Sequence, residues 1–433
     1  VSRPDADPPS PRQDAPALRI VILVKTNEGG IWIVQPARAM AARGHEVVVV
    51  LPPGDGKLTR RLAEHGIRTV DSPFSFRFRP DPATLRGLWQ LRRLLRRLRP
   101  DVLNYHLYAA ALAGRLAGLG LPLTRAHTVV GPLFLESPLI RRFERLLWRL
   151  DDVIVCGTAY TSRCYAALGV PTPRRPVVTC GIDTARLSPV PDEHHDPVVD
   201  ARAVQRARRE QRAKARADLG VAEDVLLVLM VAYVYPAKRL VARGRPIKGH
   251  DVLLEAWRHF RTTAPQAHLM LVGGGLGAEA QRLRRDLIER YGVAGDPTVT
   301  WFDSVDDVRL HYQAADLSVS PSLSEGHGAS VEASAMAVPS VVSDAGGLPE
   351  TVTRDSGWVV PRDDPSALAA ALGAAYAEFR AGTLASRGIR ARELAVRHFD
   401  HRPAAREVVT ILERATAARR GQVGEPARTE VTR

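Results

Sequence analysis

Short apolar, β-branched stretches recur along the chain, each followed by a longer segment whose apolar residues return every three or four positions. Residues 18–23 are the first such strand, and Asn27-Glu28-Gly29-Gly30 then turns the chain. A helical pattern over 32–43 stops at Gly44, and His45-Glu46 leads into a strand over 47–51. That is a β-α-β unit, the start of a parallel sheet. A basic helix over 85–99 precedes a strand over 101–105, and a strand over 153–156 precedes a helix over 163–168. Buried strands alternating with helices predict an α/β, doubly wound sheet.

The pattern breaks after Pro189. His194-His195-Asp196-Pro197 is followed by a run dense in Arg, Ala and Glu up to Asp218, which predicts a domain boundary and an exposed helix. The alternation then restarts, with strands over 225–232, 268–272, 298–302, 317–321 and 340–343 and helices between them. The expectation is two Rossmann-like domains, 18–188 and 189–402, with a helix over 403–418 returning to the first. Residues 1–17 and 419–433 are expected to be disordered tails. Two such domains facing one another would put the carboxyl ends of both sheets on a shared cleft, where open α/β sheets bind ligands.

Composition narrows the choice only a little. A chain of 433 residues is long enough for two domains with cores of their own. The net charge of +14 attracts polyanions of any kind, whether nucleic acid, anionic lipid or phosphorylated ligand. The basic stretches lack interleaved aromatics, which argues against nucleic acid. The apolar run 108–123 is interrupted by Arg115 and ended by Pro122, too broken to span a membrane. Residues 1–17 have no apolar segment of the kind a signal peptide needs, and the three cysteines read as reduced thiols of a cytoplasmic protein. Cys156, Cys164 and Cys180 are too irregularly spaced for a metal site or a disulfide framework.

The chemistry concentrates after the strand at 317–321. There Ser322-Leu323-Ser324-Glu325-Gly326-His327-Gly328 leads to a helix opening at Ala329. Glycines at such a junction let a ligand approach the backbone, and free N–H groups at a helix start favour a phosphate. Glu325 stands on the loop, where a carboxylate can accept from sugar hydroxyls, and Glu332 lies early in the helix. The next strand delivers a second glycine turn, Asp344-Ala345-Gly346-Gly347-Leu348-Pro349-Glu350.

This order resembles the retaining glycosyltransferases of family four, which have the GT-B fold. The matching positions are Glu325, Gly326, Gly328, Glu332, Ala333, Ala335, Pro339, Gly346, Gly347, Pro349 and Glu350. Gly29-Gly30, Gly44-His45-Glu46-Val47, Gly181-Ile182-Asp183, Lys248-Gly249-His250 and Gly273-Gly274-Gly275 extend the likeness over residues 18–400. The resemblance implies transfer of a hexosyl group from a nucleoside-diphosphate sugar, UDP- or GDP-linked, to an acceptor hydroxyl, with retention and without a metal or other cofactor. It assigns Glu332 to the ribose, Glu325 to the transferred sugar, and the backbone of Gly326, His327, Gly328 and Ala329 to the diphosphate. Lys248 would neutralise the leaving diphosphate, with Gly273 also on the donor side. A first-domain histidine also belongs to the pattern; His127 is the best match and His106 the second. Gly29 and Gly30 fall on the acceptor side.

Three departures qualify the match. Six residues separate Glu325 from Glu332 where the family usually has seven. A deletion inside the helix would rotate Glu332 by roughly 100°; one in the loop would move Glu325 by at most ~3.8 Å. The match from Glu332 to Pro339 is in register, which favours the loop. The usual Gly-Arg after the first strand of the second domain is Ala232-Tyr233, leaving Lys238 or Arg239 as preferred replacement cations, with Arg243 and Arg245 as others. Cys180 stands where the family has Asn.

Two rival activities fit parts of the chain. Gly273-x-Gly275-x-x-Ala278, with Asp303 after the next strand, matches the fingerprint of an NAD(P)-dependent oxidoreductase. A nucleotide-sugar epimerase of the GT-B fold is the nearer rival. The acceptor could be a small molecule, a glycan or a lipid-linked sugar. Leu85 to Arg99 carries a leucine stripe flanked by arginines, and 140–150 is similarly basic and amphipathic. Either the stripe packs on the first sheet, or these helices touch anionic lipid at the inner face of the membrane.

Overall fold

The structure, a computed structural model, describes residues 16–190, 200–236 and 245–424. Its first sheet comprises β1 (Arg19–Val24), β2 (Glu46–Leu51), β3 (Arg68–Asp71), β4 (Val102–His106), β5 (Thr124–Val129) and β6 (Val153–Cys156), in the order β3-β2-β1-β4-β5-β6. β1 runs parallel to both β2 and β4. The accompanying helices are α1 (Val34–Ala42), α2 (Lys57–Ala63), α3 (Pro82–Leu98), α4 (Tyr108–Ala117), α5 (Pro138–Leu147) and α6 (Ala159–Ala167). Ile20 to Val24 are all 0% exposed, as a strand covered on both faces must be.

The second half opens with α7 (Ala201–Leu219) and β7 (Leu226–Val231). It continues with α8 (His250–Phe260), β8 (Ala267–Val272), α9 (Ala278–Arg290), β9 (Val299–Phe302) and α10 (Arg309–Ala314). β10 (Leu317–Ser320), α11 (Ser330–Ala335), β11 (Ser340–Ser343) and β12 (Gly357–Val360) complete a sheet of order β12-β11-β10-β7-β8-β9. Its pairings are parallel throughout. Three helices follow, α12 (Pro365–Arg380), α13 (Leu384–His398) and α14 (His401–Gly424). The predicted α/β class with two doubly wound sheets is what forms.

By compactness the described residues divide into one unit drawn from 16–127, 151–153 and 406–424, and another drawn from 128–150, 154–190, 200–236 and 245–405. In the first, α14 supplies Glu413, whose carboxylate meets Arg43 at 3.4 Å and His45 at 3.1 Å. Arg419 and Arg420 on the same helix pair with Asp152 and Asp101. These ion pairs carry the helix past 418 to Gly424, so the expected tail at 419 begins as helix.

The charged segment before β7 forms the expected helix, exposed along one face and packed along the other. Asp200 caps α7 by accepting from the amides of Arg202 and Ala203, and Gly220 closes it in the left-handed conformation. Arg216 is 0% exposed, donating to the carbonyls of Ala314, Ala222 and Val225 and pairing with Asp316. Arg208 satisfies the carbonyls of Tyr312, Gln313 and Ala315. Arginine here replaces apolar residues as the packing face, because its five donors match otherwise unpaired carbonyls.

On α3 the leucine stripe packs on the first core. Leu91, Leu94 and Leu95 are buried and Leu88 and Leu98 lie against the same cluster, leaving Leu85 and Trp89 exposed. Helix α5 is the reverse. Its carboxylate, Glu144, is buried and accepts from the Tyr165 hydroxyl at 2.9 Å, while Leu139, Phe143 and Leu146 face outward.

Candidate functional site

The glycines of the second sheet are spent on bringing strand ends together. Gly249, at the start of α8, has φ +71, and a Cβ there would lie 2.0 Å from the Pro321 carbonyl oxygen. That contact and the bond from the Leu323 amide to the Ile247 carbonyl seat Lys248 beside the loop that follows β10. Gly346, at φ +59, lies just as tightly on Glu325: a Cβ would be 2.0 Å from its carbonyl oxygen, which accepts from the Gly347 amide. Only glycine tolerates both the conformation and the approach. The Lys-Gly-His and Gly-Gly-x-Pro-Glu motifs are thus two braces on one loop.

Inside this frame Lys248 and Glu325 form an ion pair, with Glu325 also accepting from the Gly326 amide at 3.1 Å. Burial works against the lysine charge, but the carboxylate outweighs it and raises the ammonium pKa. The Lys248 ammonium also sits 5.5 Å over the Tyr235 ring. A small hollow lies against these residues, lined in addition by Ala232, Ser320, Ser322 and Ala329.

Glu332 is half-buried in α11, its carboxylate 3.1 Å from the hydroxyl of the fully buried Tyr312. Desolvation pushes its pKa up, with the Tyr312 hydrogen bond and Arg186 pulling the other way. Helix α11 has only six residues, so its dipole is slight. Any anion here depends on loop amides and Lys248 instead.

His327 and Glu350 close the other side. The imidazole Nε2 lies 3.5 Å from the Glu350 carboxylate, with the Phe399 ring edge-on at 5.0 Å. Glu350 accepts from the amides of Ala159 at 2.9 Å and Tyr160 at 2.7 Å, capping α6 from far along the chain. Burial raises its carboxyl pKa, but His327 and these two amides prevail and hold it below the ordinary value. Gly326 fits against Val130, whose carbonyl oxygen would be 2.4 Å from a Cβ, and Gly347 fits against Thr158. Sequence alone gave no reason to place Val130, Thr158 or Tyr312 here.

Of the predicted donor residues, Glu325, Gly326, His327, Gly328, Ala329 and Glu332 share this loop and its helix, and Lys248 is seated beside them. Gly273 lies at the neighbouring strand end, where a Cβ would meet the Ala232 carbonyl at 2.2 Å. Lys238, Arg239 and Arg243 lie outside the described residues. Arg245 is committed to Asp251 at 2.8 Å and Asp363 at 2.5 Å, which raise its pKa and occupy its fork.

In the first unit, His127 is 0% exposed at mid-β5, and the Arg115 guanidinium lies 3.3 Å from its Nδ1. Arginine can only donate, so Nδ1 accepts and the ring proton is on Nε2. Burial, then Arg115 and His106, lowers its pKa. Arg115 is itself paired with Asp151 at 2.5 Å. His106 ends β4, accepts from the Trp32 indole at 3.4 Å, and burial lowers its pKa to about 3. Gly29 and Gly30 follow β1; the Gly29 amide donates to Thr26 at 3.2 Å and Gly30 adopts φ +90.

The oxidoreductase fingerprint fails on geometry. The amide of Gly274 donates to Ser304 and that of Leu276 to the Val234 carbonyl, while a Cβ on Gly275 would meet the Gln281 amide at 2.3 Å. These glycines pack protein against protein, and those two amides are taken, where a dinucleotide loop keeps amides free for phosphate.

Two family models match the chain: Glycosyltransferase Family 4 over residues 30–186 and Glycosyl transferases group 1 over residues 237–378. A GDP-mannose-dependent alpha-(1-6)-phosphatidylinositol monomannoside mannosyltransferase of Mycolicibacterium smegmatis is 28% identical, covering 87% of this chain and 92% of the relative. A D-inositol 3-phosphate glycosyltransferase of Geodermatophilus obscurus is 32% identical over 52% of this chain and 46% of its own. Among solved structures, Anabaena HepE in complex with UDP has a TM-score of 0.70 at 19% identity, covering 92% of this chain and all of its own. Sucrose-phosphate synthase from Thermosynechococcus elongatus has the same score at 20% identity, over 92% of this chain and 100% of its own.

Proposed function

Because the chain belongs to the family-four glycosyltransferases with the GT-B fold, we propose that it moves a hexosyl unit from a nucleoside-diphosphate sugar to an acceptor hydroxyl, with retention and without a metal or other cofactor. The observation that carries this reading is the braced loop holding Lys248, Glu325 and Glu332. Lys248 is a fixed cation where a departing diphosphate would gather charge, which lowers the barrier without reorganisation. Glu332, kept half-dry and oriented by Tyr312, suits a pair of ribose hydroxyls. Glu325 stands one residue from the loop amides and suits the hydroxyls of the transferred sugar. A thermal-shift panel of UDP-, GDP- and dTDP-sugars tests the donor. Transfer that survives EDTA and a product of unchanged anomeric configuration test the rest. Conversion of the donor with no acceptor present would point instead to an epimerase.

The mannosyltransferase relative is named for phosphatidylinositol monomannoside, and α5 favours a lipid-linked acceptor here. Leu139, Phe143 and Leu146, 54%, 55% and 67% exposed, recur at helical spacing among Arg141, Arg142, Arg145 and Arg149. Outward leucines ringed by arginine match an anionic bilayer, where apolar side chains enter the acyl region and cations meet headgroups. The enzyme then works as a cytoplasmic protein at the inner membrane face, on a lipid-linked acceptor. Co-sedimentation with phosphatidylglycerol vesicles should be lost in L139S/F143S/L146S. Equal sedimentation of the triple variant would sink the lipid reading and leave the transferase one intact.

A further inference from the structure

The Glu325 carboxylate holds two groups a diphosphate would use. One oxygen pairs with the Lys248 ammonium and the other accepts from the Gly326 amide at 3.1 Å. The side chain reaches them by folding back over its own loop: a Cβ on Gly328 would stand only 3.0 Å from the Glu325 carboxyl. Gly328 adopts φ +57 there, so the left-handed turn and the missing side chain together make the fold-back fit.

We propose that Glu325 is a specificity residue that tells a loaded sugar nucleotide from a spent nucleoside diphosphate, by occupying the diphosphate's place until a sugar is present to receive it. The proposal rests on the transferase reading above. A diphosphate entering the loop replaces the carboxylate on Lys248 and on the Gly326 amide, so those contacts change partner at little net gain. The displaced carboxylate must then find other donors, since an unpaired, partly buried charge is costly. The hydroxyls of a bound sugar supply them. A nucleoside diphosphate supplies none, so the carboxylate returns to Lys248 and expels it. Free energy from the sugar end thus offsets the displacement, and the spent product lacks that compensation.

The test is calorimetric titration of wild type and Glu325→Gln with UDP, GDP, their glucose and mannose conjugates, and the nucleosides uridine and guanosine. Glutamine keeps the shape and removes the competing charge. The nucleoside diphosphate should bind about tenfold tighter to the variant, a change of one decade in Kd, with nucleoside affinity unchanged. The ratio of sugar-nucleotide to diphosphate affinity should fall by a similar factor. Glu325→Ala is the second variant, should the first fail to fold. A diphosphate affinity equal to or weaker than wild type in a folded variant overturns the proposal while the transferase reading stands. A wild-type protein that binds neither UDP nor GDP, nor their sugars, overturns both.

Discussion

The hydroxyl of Tyr312 lies 3.1 Å from the carboxylate of Glu332, and it reaches the Ala329 carbonyl at 3.3 Å. Helix α10 therefore fixes the angle at which α11 presents its glutamate. Tyr312→Phe keeps the ring in the core and deletes only the hydroxyl. Donor KM should rise about 5-fold, the net worth of one ordinary hydrogen bond at about 1 kcal/mol, with kcat within twofold. An unchanged donor KM would mean that Glu332 does not hold the donor.

The raised pKa of Glu332 gives that position a stability cost with a definite sign. The folded protein holds this proton more tightly than the unfolded chain does, so the group is neutral in effect at low pH. Stability is lost as pH rises through its folded pKa. Glu332→Gln should therefore melt higher than wild type at neutral pH, with the gap closing toward acid, while donor use collapses. A lower melting temperature at neutral pH would contradict it.

Glu350 carries the opposite sign. Its carboxyl pKa is held below the ordinary value of 4.5, so its contribution is full above that value and disappears as pH falls through the lowered one. Glu350→Gln loses a charged acceptor for the Ala159 and Tyr160 amides and should cost about 1–2 kcal/mol at neutral pH. Urea melts at neutral pH and at about pH 3 should show that difference shrink. A difference independent of pH would assign the effect to shape alone.

His106 and His127, in the first unit, should not titrate near neutrality. Burial takes His106 to about 3 and lowers His127, so both stay neutral through the working range. The pH profile of kcat should have no limb near 6.5, the ordinary histidine value, that disappears in His106→Gln. His127→Ala removes the acceptor facing Arg115 and should destabilise by about 1–3 kcal/mol, seen as a lower urea midpoint. A neutral limb lost in His106→Gln would make that residue a proton carrier.

Strand and helix alternation was legible because parallel strands are buried on both faces and read as unbroken apolar runs, as Ile20 to Val24 and Leu226 to Met230 do. What escaped has physical reasons. β3 and β12 are four-residue edge strands, and β3, Arg-Thr-Val-Asp with both ends exposed, has no apolar run to mark it. The packed face of α7 was hidden because Arg208 and Arg216 bury charge against carbonyls, which composition cannot show. The site loop was legible from its glycines, since Gly249 and Gly346 answer to backbone contacts that no other residue permits. Tyr312 was not, since its partner lies twenty residues away on another helix. Nor was the pairing of Lys248 with Glu325, because nothing in their spacing brings α8 to the end of β10.

The most direct measurement is calorimetric titration of UDP- and GDP-linked glucose and mannose into wild type, Lys248→Ala and Glu332→Ala. The wild type should bind a sugar of one of the two nucleotides. Each substitution should weaken that affinity by about 10-fold or more, the scale of a lost charged contact, without loss of the folded baseline. Binding of no sugar nucleotide to wild type, or undiminished binding to both folded variants, would contradict the placement of the donor on this loop.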